Sequence, residues 1–174
     1  MKKSNTNNIS SAVANTENNF FEEVVNLIKL SRQHVVNQVN TTMVVTYYEI
    51  GRRIVEQKQK GAKRAEYGKY ILQGLSDYLT KNVGRGYSVD NLKLMRKFYE
   101  IYSVNSIGES VITELEKPIS ETVIRKFNPH ISWSHYIKLM RIKNVQERQF
   151  YEIEIAKNNW SFREFGREKL RMKN

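Results

Sequence analysis

Only two prolines occur in this 174-residue chain, Pro118 and Pro129, so no residue lacking a backbone N–H interrupts the first hundred positions. Along that stretch the apolar residues recur at helical spacing: Phe21, Val24, Val25, Ile28, then Val35, Val36, Val39, Met43, and on to Tyr47, Ile50 and Ile54. The run reads as one long helix, or two joined near residues 31–40, closing in the charged stretch Glu56 to Lys60 before Gly61. A second helix is expected from about Glu66 to Val83, with Tyr67, Tyr70, Ile71, Leu75, Tyr78 and Leu79 on one side and Gly84-Arg85-Gly86 as its stop. Ser88 then N-caps a third helix to about Tyr102, whose apolar face is Leu92, Met95, Tyr99 and Tyr102. No strand alternation of useful length appears. The expected class is all-α: a multi-helix domain with a helix-turn-helix-like hairpin and a C-terminal three-helix subdomain.

The boundaries follow composition. Residues 1–18 are rich in Asn, Ser and Thr, have little to bury and are expected to be a disordered polar tail. Residues 19–102 form the N-terminal helical region, with the hairpin at 66–102, and residues 103–118 read as a linker or surface excursion ending at Pro118. Residues 119–174 form the C-terminal subdomain. It opens with an apolar-periodic stretch near Ile119 to Phe127 and a turn at Asn128-Pro129. Three helices follow, near Trp133 to Ile142, Val145 to Lys157 and Phe162 to Arg171. Two starts carry capping-box spacing, Asn144 with Glu147 and Ser161 with Glu164.

The formal net charge is +11, and its distribution is uneven. Residues 51–102 carry +7 and residues 128–174 carry +5, around a near-neutral middle. Clustered Lys and Arg are the electrostatic footprint of a polyanion partner, although cations that merely solvate helices produce part of the same signal. The absence of cysteine excludes disulfide scaffolds, thiolate zinc sites, iron–sulfur clusters and thiol nucleophiles. No apolar run approaches the roughly 18 residues a membrane span needs, and Lys2-Lys3 is followed by Asn and Ser where a signal peptide would turn hydrophobic. A soluble, cytoplasmic protein without membrane contact is expected.

Little in the sequence offers catalysis. A metal-dependent nuclease needs clustered carboxylates, yet the only aspartates are Asp77 and Asp90, both in expected helices. Glu56-Gln57-Lys58 has Glu-x-Lys spacing but lies at a helix end with no upstream Pro-Asp on a strand. His130 and His135 are five apart, the wrong spacing for a zinc pair on one helix face, so capping, packing or phosphate contact suits them better. No phosphate-cradling glycine loop is present, and no cofactor or metal is expected. The positive signal is LSDYLTKNVGRGYSVDNLKLMRKFYEIY, residues 75–102. A helix, a short glycine-containing turn and a basic second helix follow helix-turn-helix logic. If the second helix buries its apolar face, its other side shows Asp90, Asn91, Lys93, Arg96 and Lys97, groups of the kind that reach base edges and phosphates. Lys81 and Arg85 flank the turn, and Tyr87 and Ser88 stand at the helix start, where free N–H groups favour an anion. His135, Lys138 and Arg141 add candidate phosphate contacts, with Lys143 beside them. The competing view is an ordinary helical hairpin with a solvated face.

The run YYEIGRRI, then EYGK, LSDYLTKNVGRGYSVDNLKLMRKFY, SWSHYIKLMR, ERQFY and NNWSFREF resembles, in order, the amino-terminal domain of the YhcG-type nuclease family. The likeness covers roughly residues 20–171. It implies an α-helical, helix-turn-helix-like DNA-binding region of bacterial type that precedes a PD-(D/E)xK nuclease domain in full-length members. That nuclease half is absent from this sequence, so the chain is expected to be a non-enzymatic recognition half. A fainter similarity, in the order of a helix-turn-helix, ISWSHYIKLM and an N-W-S-F-R-E helix, links it to the central DNA-binding domain of the ParB partition proteins. The expected partners are duplex or structured DNA and a PD-(D/E)xK nuclease domain or subunit. The alternative is a dimerisation or protein-interaction module, with a homodimer formed through the apolar helix 20–55.

Overall fold

The computed structural model describes residues 5–60, 65–103 and 126–172. The expected linker, beyond Ser103, and most of the apolar stretch at 119–127 lie outside them. The described residues form six helices and no strand: α1 Asn5–Lys60, α2 Ala65–Asn82, α3 Val89–Ser103, α4 Trp133–Leu139, α5 Val145–Asn158 and α6 Phe162–Arg171. The all-α reading holds. The chain divides into two compact units, Met1–Val39 and Asn40–Asn174.

In the first unit, α1 begins at Asn5, so the segment expected to be a disordered tail is helical from there. The physical reason is cooperativity: extending a helix that already exists avoids the nucleation cost, and each added residue is repaid by one hydrogen bond. Asn, Ser and Thr lower that return by only some tenths of a kcal/mol each.

The second unit holds the buried core. From α1 it takes Val44, Val45 and Tyr48, at i, i+1 and i+4 on one face, and Ile54 on another, where it packs in a separate cluster with Leu72, Leu92 and Met95. From α3 it takes Leu92, Met95, Phe98 and Tyr102. The sequence reading named Tyr99 where the structure buries Phe98 completely and leaves Tyr99 partly covered. Phe98 is the hub of the aromatic core. Its ring centroid lies 4.9 to 6.0 Å from those of Tyr48, Tyr102, Phe127, Trp133 and Tyr136, which joins α1, α3, α4 and the chain before α4. Burial pushes the Tyr48 hydroxyl up to about 12.

A polar pair enters this core: the Tyr102 hydroxyl donates to Glu152 Oε1 at 2.5 Å, with Arg148 over the Tyr102 ring. Burial raises the Glu152 carboxyl above the usual range, against the opposing pull of the Tyr102 hydrogen bond and the Arg148 charge.

On α2 the observed inward face is Ile71, Leu72, Leu75, Ser76 and Leu79, rotated from the expected one. Tyr70 and Tyr78, expected on the same side as Ile71, Leu75 and Leu79, are 78% and 68% exposed. A tyrosine hydroxyl needs a partner when buried, so a solvent-facing position suits both residues.

The C-terminal helices start as the capping pattern requires. Ser161 and Glu164 make the full reciprocal box, with Ser161 N–H donating to Glu164 Oε2 at 2.7 Å and Glu164 N–H to Ser161 Oγ at 3.3 Å. At Asn144 the N-cap bond forms: Glu147 N–H donates to Asn144 Oδ1 at 2.9 Å. Helix α4 stops at Leu139, three residues short of its expected end. Ile142, beyond the stop, is tied into the fold by Arg148, whose Nη1 donates to its carbonyl at 3.2 Å.

Candidate nucleic-acid interface

The hairpin of α2 and α3 is closed by residues 83–88. Val83 N–H and Gly84 N–H both donate to the Leu79 carbonyl, at 2.8 and 3.1 Å, ending α2. Gly84 and Gly86 sit at φ +115° and +113°, which side chains on an L-residue disfavour, so the turn depends on both glycines. Asn91 N–H donates to Ser88 Oγ at 3.3 Å, and Leu92 N–H to the Ser88 carbonyl at 2.9 Å, so Ser88 is the N-cap the sequence pointed to. Asn91 Nδ2 reaches back to the Gly86 carbonyl at 2.9 Å. Tyr87 packs against the cluster of Ile54, Leu72, Leu92 and Met95. Ser88, Asn91 and Tyr87 are therefore engaged in building the turn.

Beyond the turn, α3 presents an open groove lined by Asp90, Lys93, Leu94, Arg96, Lys97 and Glu100. This brings the three expected α3 cations together, but with carboxylates among them. Lys93 Nζ meets Asp90 Oδ1 at 2.9 Å, both side chains more than half exposed. Glu100 Oε1 stands 3.5 Å from Arg96 Nε, at ion-pair distance but outside hydrogen-bond geometry, so that buried Nε keeps no hydrogen-bond partner. Lys81, Arg85 and Lys97 are exposed and make no ion pair among the described residues. Exposed pairs such as Lys93–Asp90 hold together by at most about 1 kcal/mol, so a stronger anion can displace the carboxylate.

Two of the expected contacts are not surface groups of this kind. His135 is 5% exposed, because its ring serves the start of α4: Ser132 N–H donates to His135 Nδ1 at 3.1 Å, as a Glu or Gln does in a capping box. With Nδ1 accepting, the neutral ring carries its proton on Nε2. Burial holds the His135 pKa below its usual value; the backbone of Ser161 and Trp160 opposes this, and the Lys138 charge adds to it. Lys138 donates from Nζ to the Phe162 carbonyl at 2.8 Å and lies 3.7 Å from the Phe162 ring centroid, tying α4 to α6. Arg141 is exposed on the turn after α4, outside the α3 groove.

Two residues expected on the same side of α2 as Ile71, Leu75 and Leu79 join the exposed surface beside these candidates. Tyr70 and Tyr78 flank Gly74 on the exposed side of α2, in a second shallow groove with Gln73 and Asp77. The available signal was the tyrosine type itself, which tolerates water where Leu or Ile would not. Among the described residues no three His, Asp or Glu side chains gather so as to hold a metal ion, and no helix is long and apolar enough to cross a membrane.

Comparison with known proteins adds a family. Residues 23–172 match the family described as the DUF1016 N-terminal domain. A protein of Escherichia coli (strain K12) named "Putative nuclease YhcG" is 35% identical over 158 residues, which covers 83% of this chain and 42% of the relative. The chain thus spans about two-fifths of the length of that relative. No solved structure matches significantly.

Proposed function

Because the chain belongs to the family of DUF1016 N-terminal domains, associated with nucleases of the YhcG type, we propose that it is the DNA-binding, non-catalytic part of such a nuclease. In this reading it positions on DNA a PD-(D/E)xK nuclease half carried by a separate domain or subunit. The observation that carries the proposal is the edge of the hairpin, where Lys81, Arg85 and Lys97 stand exposed and unpaired among the described residues and Lys93 is held only by an exposed carboxylate. The two aspartates are engaged on helix surfaces, Asp77 with Gln73 and Asp90 with Lys93, which favours placing the chemistry elsewhere.

Four cations on four phosphates give a salt dependence of log affinity on log salt of roughly −3.6, at about −0.9 per contact on duplex DNA. Fluorescence anisotropy with a labelled duplex across a salt series measures it. Replacing Lys81, Arg85 and Lys97 by Gln should flatten the slope to roughly −0.9. Helical content and melting temperature should stay unchanged, whereas the same loss of charge at Lys2 and Lys3 should leave the slope near its original value. No detectable binding to duplex, single-stranded or structured DNA at low salt would sink the proposal. EDTA-sensitive cleavage by the purified chain would overturn its non-catalytic half.

A further inference from the structure

The helix segment from Phe20 to Val39 carries more apolar surface than a soluble chain leaves uncovered. Phe20, Phe21, Val24, Val25, Leu27, Ile28, Leu30, Val35, Val36 and Val39 are 39% to 69% exposed. At 100° per residue all but Leu30 fall on one half of the helix circumference, with Ile28 at the centre and Phe21, Val24, Val35 and Val39 beside it. Their exposed area is on the order of 1,000 Å², where the largest apolar patch on a monomer is typically about 300–600 Å² and a stable complex needs about 800 Å² from each partner. Ser31, the one hydroxyl inside the stripe, donates to the Leu27 carbonyl at 2.9 Å and so needs no water when covered.

We propose that this face is a self-complementary surface on which a second copy of the chain lies antiparallel. Charge selects that occupant. The chain as a whole is strongly basic, yet the segment is balanced: Glu22 and Glu23 against Lys29 and Arg32. A second copy therefore approaches here without the repulsion it meets at the basic blocks, and a polyanion gains nothing here. Glu22 and Lys29, seven residues apart, share one edge of the stripe, and Arg32 lies within the stripe on that side, about 40° from Ile28. In an antiparallel pair each edge meets its own counterpart running the other way, so Glu22 of each copy faces Lys29 and Arg32 of the other, twice over, as a closed two-fold interface requires. A parallel pair turns that edge away from its counterpart. With the two-fold axis near Ile28, Phe21 comes level with the second copy's Val35, and Val24 and Val25 come level with its Arg32 and Ser31, where the apolar run is interrupted.

Sedimentation velocity on the whole chain, from low to high micromolar concentration, tests this. The expected result is a shift from a 20.6 kDa species to one of twice that mass. Ile28→Glu should weaken the dimer by about thirtyfold or more, as for a central interface residue. Glu22→Lys alone, or Lys29→Glu with Arg32→Glu, should weaken it a few-fold, and the three changes together should restore it. The altered side chains are exposed, so circular dichroism and melting temperature of the monomer should hold. A 20.6 kDa species at every concentration overturns the proposal. So does a dimer indifferent to these variants, or a monomer whose affinity for duplex DNA falls with Ile28→Glu, since the face would then serve nucleic acid.

Discussion

Gly51 lies where α1 rests on the backbone of α3, and the substitution Gly51→Ala sets two effects of opposite sign against each other. On propensity alone alanine should stabilise a helix interior by about 1 kcal/mol. The contact says otherwise: a Cβ at 51 would stand 2.1 Å from the Met95 carbonyl oxygen, 2.8 Å from its carbon and 3.0 Å from Tyr99 Cβ. Carbon and oxygen tolerate about 3.3 Å, so the two helices must part by roughly 1 Å, and a backbone carbonyl inside a helix cannot rotate away as a side chain can. Parting them opens gaps around Leu92, Met95 and Phe98, all at most 1% exposed. A radial gap of about 0.5–1 Å forfeits a quarter to a half of each contact.

Overpacking of this kind costs about 1–3 kcal/mol and sometimes more, and a backbone collision belongs at the upper end. The net expectation is a destabilisation of roughly 2 kcal/mol, read as a lower denaturation midpoint in urea by circular dichroism. Gly74→Ala is the matched control. Nothing lies within 4 Å of a Cβ there, so alanine should stabilise α2 by about 0.5–1 kcal/mol. A Gly51→Ala protein as stable as the parent, or more so, would refute the close approach of α1 and α3.

Phe98→Ala, which removes a side chain with no exposure from the centre of five aromatic contacts, should cost about 3–5 kcal/mol by the same assay; a loss below about 1.5 kcal/mol would mean the core is not organised around it. His135 titrates below its ordinary value in the fold, so as pH falls the unfolded chain takes up its proton first. Stability should therefore drop below about pH 6.5 and stay flat above about 7.5. His135→Gln keeps a side chain able to accept from Ser132 N–H and should remove that dependence; an unchanged pH slope assigns it to another group. Asp90→Asn takes a carboxylate out of the α3 groove and releases Lys93, so duplex affinity at low salt should rise several-fold while the salt slope stays near roughly −3.6, Lys93 being already one of the four phosphate contacts. Anisotropy titrations showing weaker binding by this variant would argue against α3 as the contact.

The helices were legible because their punctuation is local. Ser161 with Glu164, Ser88 before α3 and the glycines after α2 act through bonds within a few residues, and each stands where its spacing placed it. Faces were less legible, because they depend on what packs opposite. Phe98 and Tyr99 are adjacent aromatics separated by 100° on α3, and only the presence of Tyr48, Phe127 and Tyr136 decides which of them turns fully inward. Tyr70 and Tyr78 failed for the same reason. Among the candidate contacts, His135 and Lys138 were chosen by residue type, but their partners, Ser132 for one and the Phe162 carbonyl for the other, are set by how α4 meets α6. Gly51 gave no signal at all: in the sequence it is one glycine in a helix, and its role appears only against Met95.

The +7 carried by residues 51–102 is the net of twelve cations and five carboxylates, and three of those cations are held in ion pairs. Arg52 is clamped between Glu49 at 2.7 Å and Glu56 at 2.8 Å, while Lys93 and Arg96 are matched by Asp90 and Glu100 on their own helix. Among the described residues, Lys81 and Arg85 by the turn, Lys97 halfway along α3 and Arg53 on α1 are exposed cations outside these pairs. The side chains best suited to read base edges are the ones the turn itself requires: Asn91 holds the Gly86 carbonyl and Ser88 caps α3. Cations position a protein on the phosphate backbone, whereas hydrogen bonds to bases specify sequence. The proposed contact is thus of the first kind. It gives an affinity that depends steeply on salt and weakly on sequence, and under it Asn91→Ala lowers the melting temperature and weakens binding to every duplex alike.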